Sequence, residues 1–334
     1  MREIRYYDFG ELTMRYQIIC SCLLMFGSAI AEEHPDFRVS VYPLVEGHFG
    51  KTEYIYEEVG LADVGGTPTL FSVKSQLEYP LDCAVAGGRV EIQYFSQGRP
   101  EIGCSVGIMA NAETVTGKMR DRDWIDDRLV GDTDSEARTW FFQLDLEISK
   151  RLAGRDSLSL FVVGGFRLQR ISQDLVGLDG RYFNDSTRIW DPVHLEVPVG
   201  GYEITYSLPF VGLKPQIQRG SLTASVKAAM VLVFASDQDH HLLRNFTGEA
   251  KGSGSGFMVN GQARLSLGHW RPSGSVYAVL SADLMHLRVD TSEKVTFYGY
   301  DSGTENDLGD VLENLPHEIK STQYGMSLGI GLTF

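Results

Sequence analysis

Residues 324–334 read YGMSLGIGLTF. Tyr324, Met326, Leu328, Ile330, Leu332 and Phe334 are apolar, and Gly325, Ser327, Gly329, Gly331 and Thr333 fill the places between. Successive side chains of an extended strand point to opposite faces, so this segment has one greasy face and one small or polar face. The same period recurs upstream. Leu222, Ala224, Val226, Ala228, Met230, Leu232 and Phe234 alternate with Thr223, Ser225 and Lys227. Trp140, Phe142, Leu144, Leu146 and Ile148 alternate with Gln143, Asp145 and Glu147, and Ile102, Cys104, Val106 and Ile108 with Glu101, Gly103, Ser105 and Gly107. No helical segment is available to cover the greasy face. Alternation alone fits a soluble sandwich as well as a membrane barrel. A secretion signal and a last strand ending in phenylalanine, which resembles an outer-membrane assembly signal, decide for the barrel. In lipid a closed sheet pairs every backbone group internally.

The secretion signal lies at the other end of the chain. Residues 16–31, YQIICSCLLMFGSAIA, follow Arg15 and end in Ala29-Ile30-Ala31 ahead of Glu32-Glu33. This run is too short and wrongly flanked for a transmembrane helix and reads as a signal peptide over 14–31. Met14 is then an alternative start, and 1–13 is either untranslated or part of the signal. The remainder, 32–334, reads as a single β-barrel domain without a linker. Removing the signal leaves Cys83 and Cys104. A hairpin centred near Gly98 sets Cys104 opposite Glu91 or Ile92, away from Cys83, so no obligatory disulfide is expected.

The expected fold is all-β: a closed antiparallel transmembrane barrel of about ten strands, near 36–57, 70–94, 101–116, 138–152, 156–172, 200–213, 218–236, 256–269, 274–291 and 319–334. Short turns at 153–156 and 271–274 face the periplasm. Longer connections, near 58–69, 117–137, 173–199, 237–255 and 292–318, face outward. A net charge of −14, from 44 acids against 30 bases, argues against nucleic acid and suits a cationic partner.

Two acidic clusters sit where strands meet outward connections: Arg120-Asp121-Arg122-Asp123-Trp124-Ile125-Asp126 and Ser236-Asp237-Gln238-Asp239-His240-His241. In the strand ending at Phe234, even positions face lipid, so Asp237, Asp239 and His241 face the lumen. Asp121 and Asp123 share the inward parity of Glu101, Ser105 and Gly107. A carboxylate pair and a carboxylate–histidine pair then face one another across the barrel mouth. This suits water activation: a histidine near ~6.5 accepts a proton at neutral pH, and an aspartate fixes its tautomer. Two close carboxylates share a proton, which one of them can donate. No HExxH or compact ligand set suggests a metal.

These residues resemble the omptin family, outer-membrane endopeptidases of Gram-negative bacteria. The resemblance rests on Gly117–Asp126, Ser236–His241, Ser75-Gln76-Leu77-Glu78-Tyr79, Leu208-Pro209-Phe210-Val211-Gly212-Leu213 and Gly331-Leu332-Thr333-Phe334. It implies a ten-stranded barrel with its active site facing outside, hydrolysing peptide bonds beside basic residues of peptides or proteins. The family's paired aspartates fall on Asp121 and Asp123, and its dyad on Asp239 and His241, with a water between. Its acidic substrate pocket falls on Asp237 and Glu53. Glu53 shares odd parity with Val39 and Val41, so an inward Glu53 requires a bulge at Gly47 or Gly50. The family depends on lipopolysaccharide at the outer wall and on no other cofactor. Phe166 and Arg170 match that site, whereas Leu168 replaces an acid and Thr205 an arginine. A monomer is the default expectation. Two alternatives are a non-catalytic adhesin collecting cationic peptides and, less favoured, a passive porin.

Overall fold

The computed structural model describes residues 36–334, apart from 65–66, 112–114, 156, 272–273, 301–305 and 307. The signal peptide expected at 14–31 lies outside the described residues. Twelve antiparallel segments form one sheet: β1 (Phe37–Val64), β2 (Thr67–Pro80), β3 (Cys83–Ser96), β4 (Arg99–Ala110), β5 (Val115–Ile125), β6 (Arg128–Arg155), β7 (Leu158–Asn184), β8 (Ile189–Arg219), β9 (Leu222–His241), β10 (Phe246–Arg271), β11 (Gly274–Phe297) and β12 (Val311–Thr333).

Twelve segments occupy ten positions around the ring, because two positions are each interrupted once. Phe37–His48 of β1 pair with β3, and Lys51–Val64 with β2. Likewise β6 pairs with β4 through Phe142–Lys150 and with β5 through Arg128–Thr139. The first break follows Pro80, which has no N–H for the ladder; there Leu81 donates to the Gly50 carbonyl at 2.9 Å. Pairing of β12 with β1, from Ser40↔Thr333 to Tyr56↔His317, closes the ring. No edge is left for the lipid to solvate.

The barrel is inside-out relative to a soluble protein. Tyr324, Met326, Leu328 and Ile330 on β12, and Val226, Met230, Leu232 and Phe234 on β9, are exposed. Between them Ser327 and Gln323 on β12, and Lys227, Val231 and Val233 on β9, are buried in the lumen. The outward apolar band continues over Ile102–Ile108 on β4, Trp140–Ile148 on β6 and Val211–Ile217 on β8, and marks the membrane-spanning segment. Midway along the band the lumen is filled. Arg167 pairs with Asp145 at 2.6 Å and lies 3.7 Å from Asp283, and Gln169 bonds Gln323 at 2.8 Å.

The outward connections are more ordered than the sequence suggests. The strands run on beyond the apolar band as paired hairpins, so 117–137, 173–199 and 237–255 are mostly ladder, with turns at 126–127, 185–188 and 242–245. Asp126 and Asp127 both have positive φ (47° and 62°), which suits a two-residue turn matching the strand twist. Backbone outside lipid still gains from ladder pairing, and Asp and Asn tolerate the left-handed turn positions. At the opposite end, Gln97 and Gly98 turn β3 into β4 and pair Cys104 with Ile92.

Candidate active site

The aspartates and histidines of the two clusters lie on the hairpins, beyond the apolar band. On β9, Asp237, Asp239 and His241 continue the inward parity of Val231 and Val233. Asp237 and Asp239 are buried, and Asp239 pairs in register with Tyr202 of β8 and Gly248 of β10. His240, on the other face, bonds the Thr247 hydroxyl at 3.0 Å. On β5, Asp121 pairs with the buried Leu77 of β2 and Thr133 of β6, and Asp123 with Ser75 and Gly131. Cross-strand partners share a face, so both aspartates point into the lumen. Gly131 keeps that face open: a methyl group there would sit 2.9 Å from Asp123 Oδ2.

His241 Nε2 lies 2.8 Å from Asp239 Oδ2, which also accepts from the Tyr79 hydroxyl at 3.3 Å. Burial disfavours the imidazolium, but the charge and hydrogen bond of Asp239, joined by the charge of Asp121, outweigh it. The His241 pKa is therefore raised above 6.5. Burial first, then the charges of Asp123 and Asp239, push Asp121 up to about 7, while His241 and Arg244 pull the other way. Asp123 is raised as well, by burial, against a hydrogen bond from Ser75 and the charges of Arg244 and His241. The two couples from β5 and β9 thus act on one another across the mouth.

A second acidic group lies beside the dyad. Burial, then Glu293 and Asp239, push Asp237 up to about 8. Its Oδ2 has the Tyr202 hydroxyl at 3.5 Å and His317 Nε2 at 3.4 Å, and its Oδ1 has no hydrogen-bond partner. Burial lowers His317 to about 4, so this ring is neutral at neutral pH and offers no counter-charge. Glu293 of β11 is buried and accepts from the Tyr54 hydroxyl. Burial, helped by Asp239, holds its pKa above 4.5.

The structure sets Glu53 apart from this group, and Phe166 and Arg170 on the outer wall. Leu44 to Tyr56 pair in unbroken register with β12, through both Gly47 and Gly50, so no bulge reverses the parity of Glu53. It faces outward and binds Lys51 at 2.9 Å and Gln76 at 2.9 Å. Tyr54 takes the inward place. On β7, Phe166 and Arg170 have outward parity, opposite the buried Arg167 and Gln169. Arg170 pairs with Glu203 at 2.7 Å and stands in register beside Thr205.

Sequence reasoning missed Tyr54, Tyr202, Arg244, Glu293 and His317. For Glu293 a signal existed: Met285, Leu287 and Val289 establish odd inward parity on β11, which two further steps carry to Glu293. Among the described residues no group of three or more His, Cys, Asp or Glu is arranged to hold a metal ion. A cavity of about 470 Å³ lies at the opposite end and includes Arg264, Glu91, Lys227 and Glu147. There Arg264 pairs with Glu91 at 2.6 Å and Lys227 with Glu147 at 2.7 Å. The unneutralised groups, not this void, mark the reactive end.

No curated protein matches the sequence. The fold is similar to that of the outer membrane protease OmpT from Escherichia coli, with TM-score 0.63 and 17% identity over 89% of this chain and 97% of that one. The translocator domain of the autotransporter NalP from Neisseria meningitidis is a looser likeness, with TM-score 0.35 and 11% identity over 96% of this chain and 97% of that one. The model of the omptin family matches residues 73–279, more than half of the chain and inclusive of both aspartate clusters. With an OmpT-like barrel and that match together, the chain belongs to the omptin family of outer-membrane proteases.

Proposed function

We propose that this protein is an endopeptidase of a Gram-negative outer membrane, with its mouth facing outside, that cuts peptide bonds beside basic residues. The observation that carries the reading is the His241–Asp239 bond at 2.8 Å on β9, within electrostatic reach of Asp121 on β5. With Nε2 turned to Asp239, Nδ1 of His241 is the nitrogen left to accept a proton from water. That water attacks the scissile carbonyl, and Asp239 steadies the imidazolium. Asp121, poised near neutrality beside Asp123, donates a hydrogen bond to the carbonyl oxygen as charge develops there. His241 then returns its proton to the leaving amine. Buried Asp237 holds its proton in the free fold and releases it when a cationic side chain of a basic peptide enters, so that carboxylate and cation pair directly. Lipopolysaccharide is the proposed lipid partner at Phe166 and Arg170 on the outer wall, and the barrel works as a monomer.

The test is cleavage of a quenched peptide containing Arg-Arg or Arg-Lys by refolded wild type and His241→Ala, with and without lipopolysaccharide. Loss of cleavage in His241→Ala is expected. Equal cleavage by both would defeat the assignment, and tight binding without turnover by wild type would favour an adhesin.

A further inference from the structure

We propose that Glu293 is the second acid of the pocket that receives the basic side chain, facing Asp237 across Ala250 and held by the hydroxyl of Tyr54. This inference rests on the proteolytic reading and names the residues that set its specificity.

The placement follows from register. Ala250 of β10 pairs with Asp237 on one side and with Glu293 on the other, so the three occupy one row across β9, β10 and β11. Adjacent strands are about 4.8 Å apart, which sets the two acidic residues about 10 Å apart at their backbones. Ala250 between them is small. Next along β10 on the same face is Gly248, where a methyl group would collide with Glu293 Oε1. The two small residues leave room for the Glu293 carboxylate and for a group between the acids.

The row lacks a counter-charge. Among the described residues, no lysine or arginine pairs with either carboxylate. Asp237 is only 5% exposed, and its Oδ1 has no partner. Two buried acids, Glu293 raising the pKa of Asp237, with an unmet acceptor beside the Tyr202 phenol, form a receptor for a planar guanidinium or an ammonium. Asp239 and His241 both act electrostatically on Glu293, so a side chain held here brings its neighbouring peptide bond to the dyad. Glu53 cannot substitute, because it faces outward and is already bound to Lys51.

The experiment compares kcat/KM for an arginine peptide and its neutral citrulline isostere in wild type, Glu293→Gln and Glu53→Gln. Glu293→Gln is expected to lower the arginine-to-citrulline ratio roughly 100-fold, mainly through KM, and Glu53→Gln to leave it within about twofold. Should Glu293→Gln fail to fold, Tyr54→Phe removes only the hydroxyl holding the carboxylate and must lower the same ratio. An unchanged ratio in the folded variant overturns the proposal. If wild type cleaves neither peptide, proteolysis itself fails, and agmatine binding followed by thermal shift decides the pocket alone. Binding by wild type but not by Glu293→Gln supports it; equal binding, or none by wild type, overturns it.

Discussion

Tyr79 of β2 and Tyr202 of β8 stack face to face in the barrel mouth, their ring centroids 4.0 Å apart and their planes within 11°. They come from opposite walls, and each hydroxyl serves a different carboxylate of β9. Tyr79 bonds Asp239 at 3.3 Å and Tyr202 bonds Asp237 at 3.5 Å. The stack thus ties both acids of β9 to rings from two other strands. Tyr79→Phe keeps the ring and loses the donor, so kcat is expected to fall about 3- to 10-fold with little change in KM. Tyr202→Phe is expected to act on KM for the basic substrate. Steady-state kinetics on one arginine peptide separate the two; the reverse pattern would contradict this division.

The pH profile follows from the same geometry. His241 must be neutral to accept a proton, and its pKa is raised above 6.5 by Asp239 against the opposing effect of burial. Activity therefore falls as pH drops through that raised value. Asp121, pushed up to about 7 by burial and by Asp123, must carry a proton to donate, so activity also falls as pH rises above that range. A bell in kcat/KM near neutrality is expected. Asp239→Asn removes the main cause of the raised His241 pKa. Its residual activity should show an acid limb at lower pH than wild type.

Asp237 makes the pocket a stability liability at high pH. Its carboxyl is pushed up to about 8 in the fold, chiefly by burial, against an ordinary 3.8. Between those values the folded chain holds a proton that the unfolded chain has released, so stability is lost as pH rises through this window. Asp237→Asn keeps the shape without the charge. Its Tm should exceed that of wild type by about a few degrees at pH 9, with the gap closing below pH 4. A thermal scan of the detergent-solubilised barrel at both pH values measures it. A gap that widens toward acid would mean the burial cost has been assigned to the wrong residue.

Much of this was legible because a strand has an exact two-residue period. Phe234 faces lipid, and the same step count turns Asp237, Asp239 and His241 inward. The rule weakened where the outward hairpins were read as loops. Residues 292–318 lack the clean alternation of the band, which hides the parity that runs from Val289 to Glu293. Conversely, parity argued against an inward Glu53, and the unbroken register of β1 upholds parity over the family pattern. The Tyr79–Tyr202 stack was not readable at all: it joins residues 123 positions apart, as numbered, on strands that do not pair.

The neighbouring histidines give the sharpest test of the inward–outward assignment, since they differ in little but parity. His241 bonds Asp239 inside the mouth, whereas His240 bonds Thr247 on the outer face. If face decides role, His241→Ala loses the base and should lower kcat/KM by about 100- to 10,000-fold. His240→Ala removes only a part-buried wall contact and should remain within about threefold, since a single side-chain hydrogen bond away from the mouth contributes little. Both variants should keep the folded barrel, which electrophoretic mobility before and after heating would check. A large loss in His240→Ala with a small one in His241→Ala would mean that β9 is slipped by one residue. Such a slip would turn every apolar side chain of that strand from lipid to lumen, and Phe234 with them.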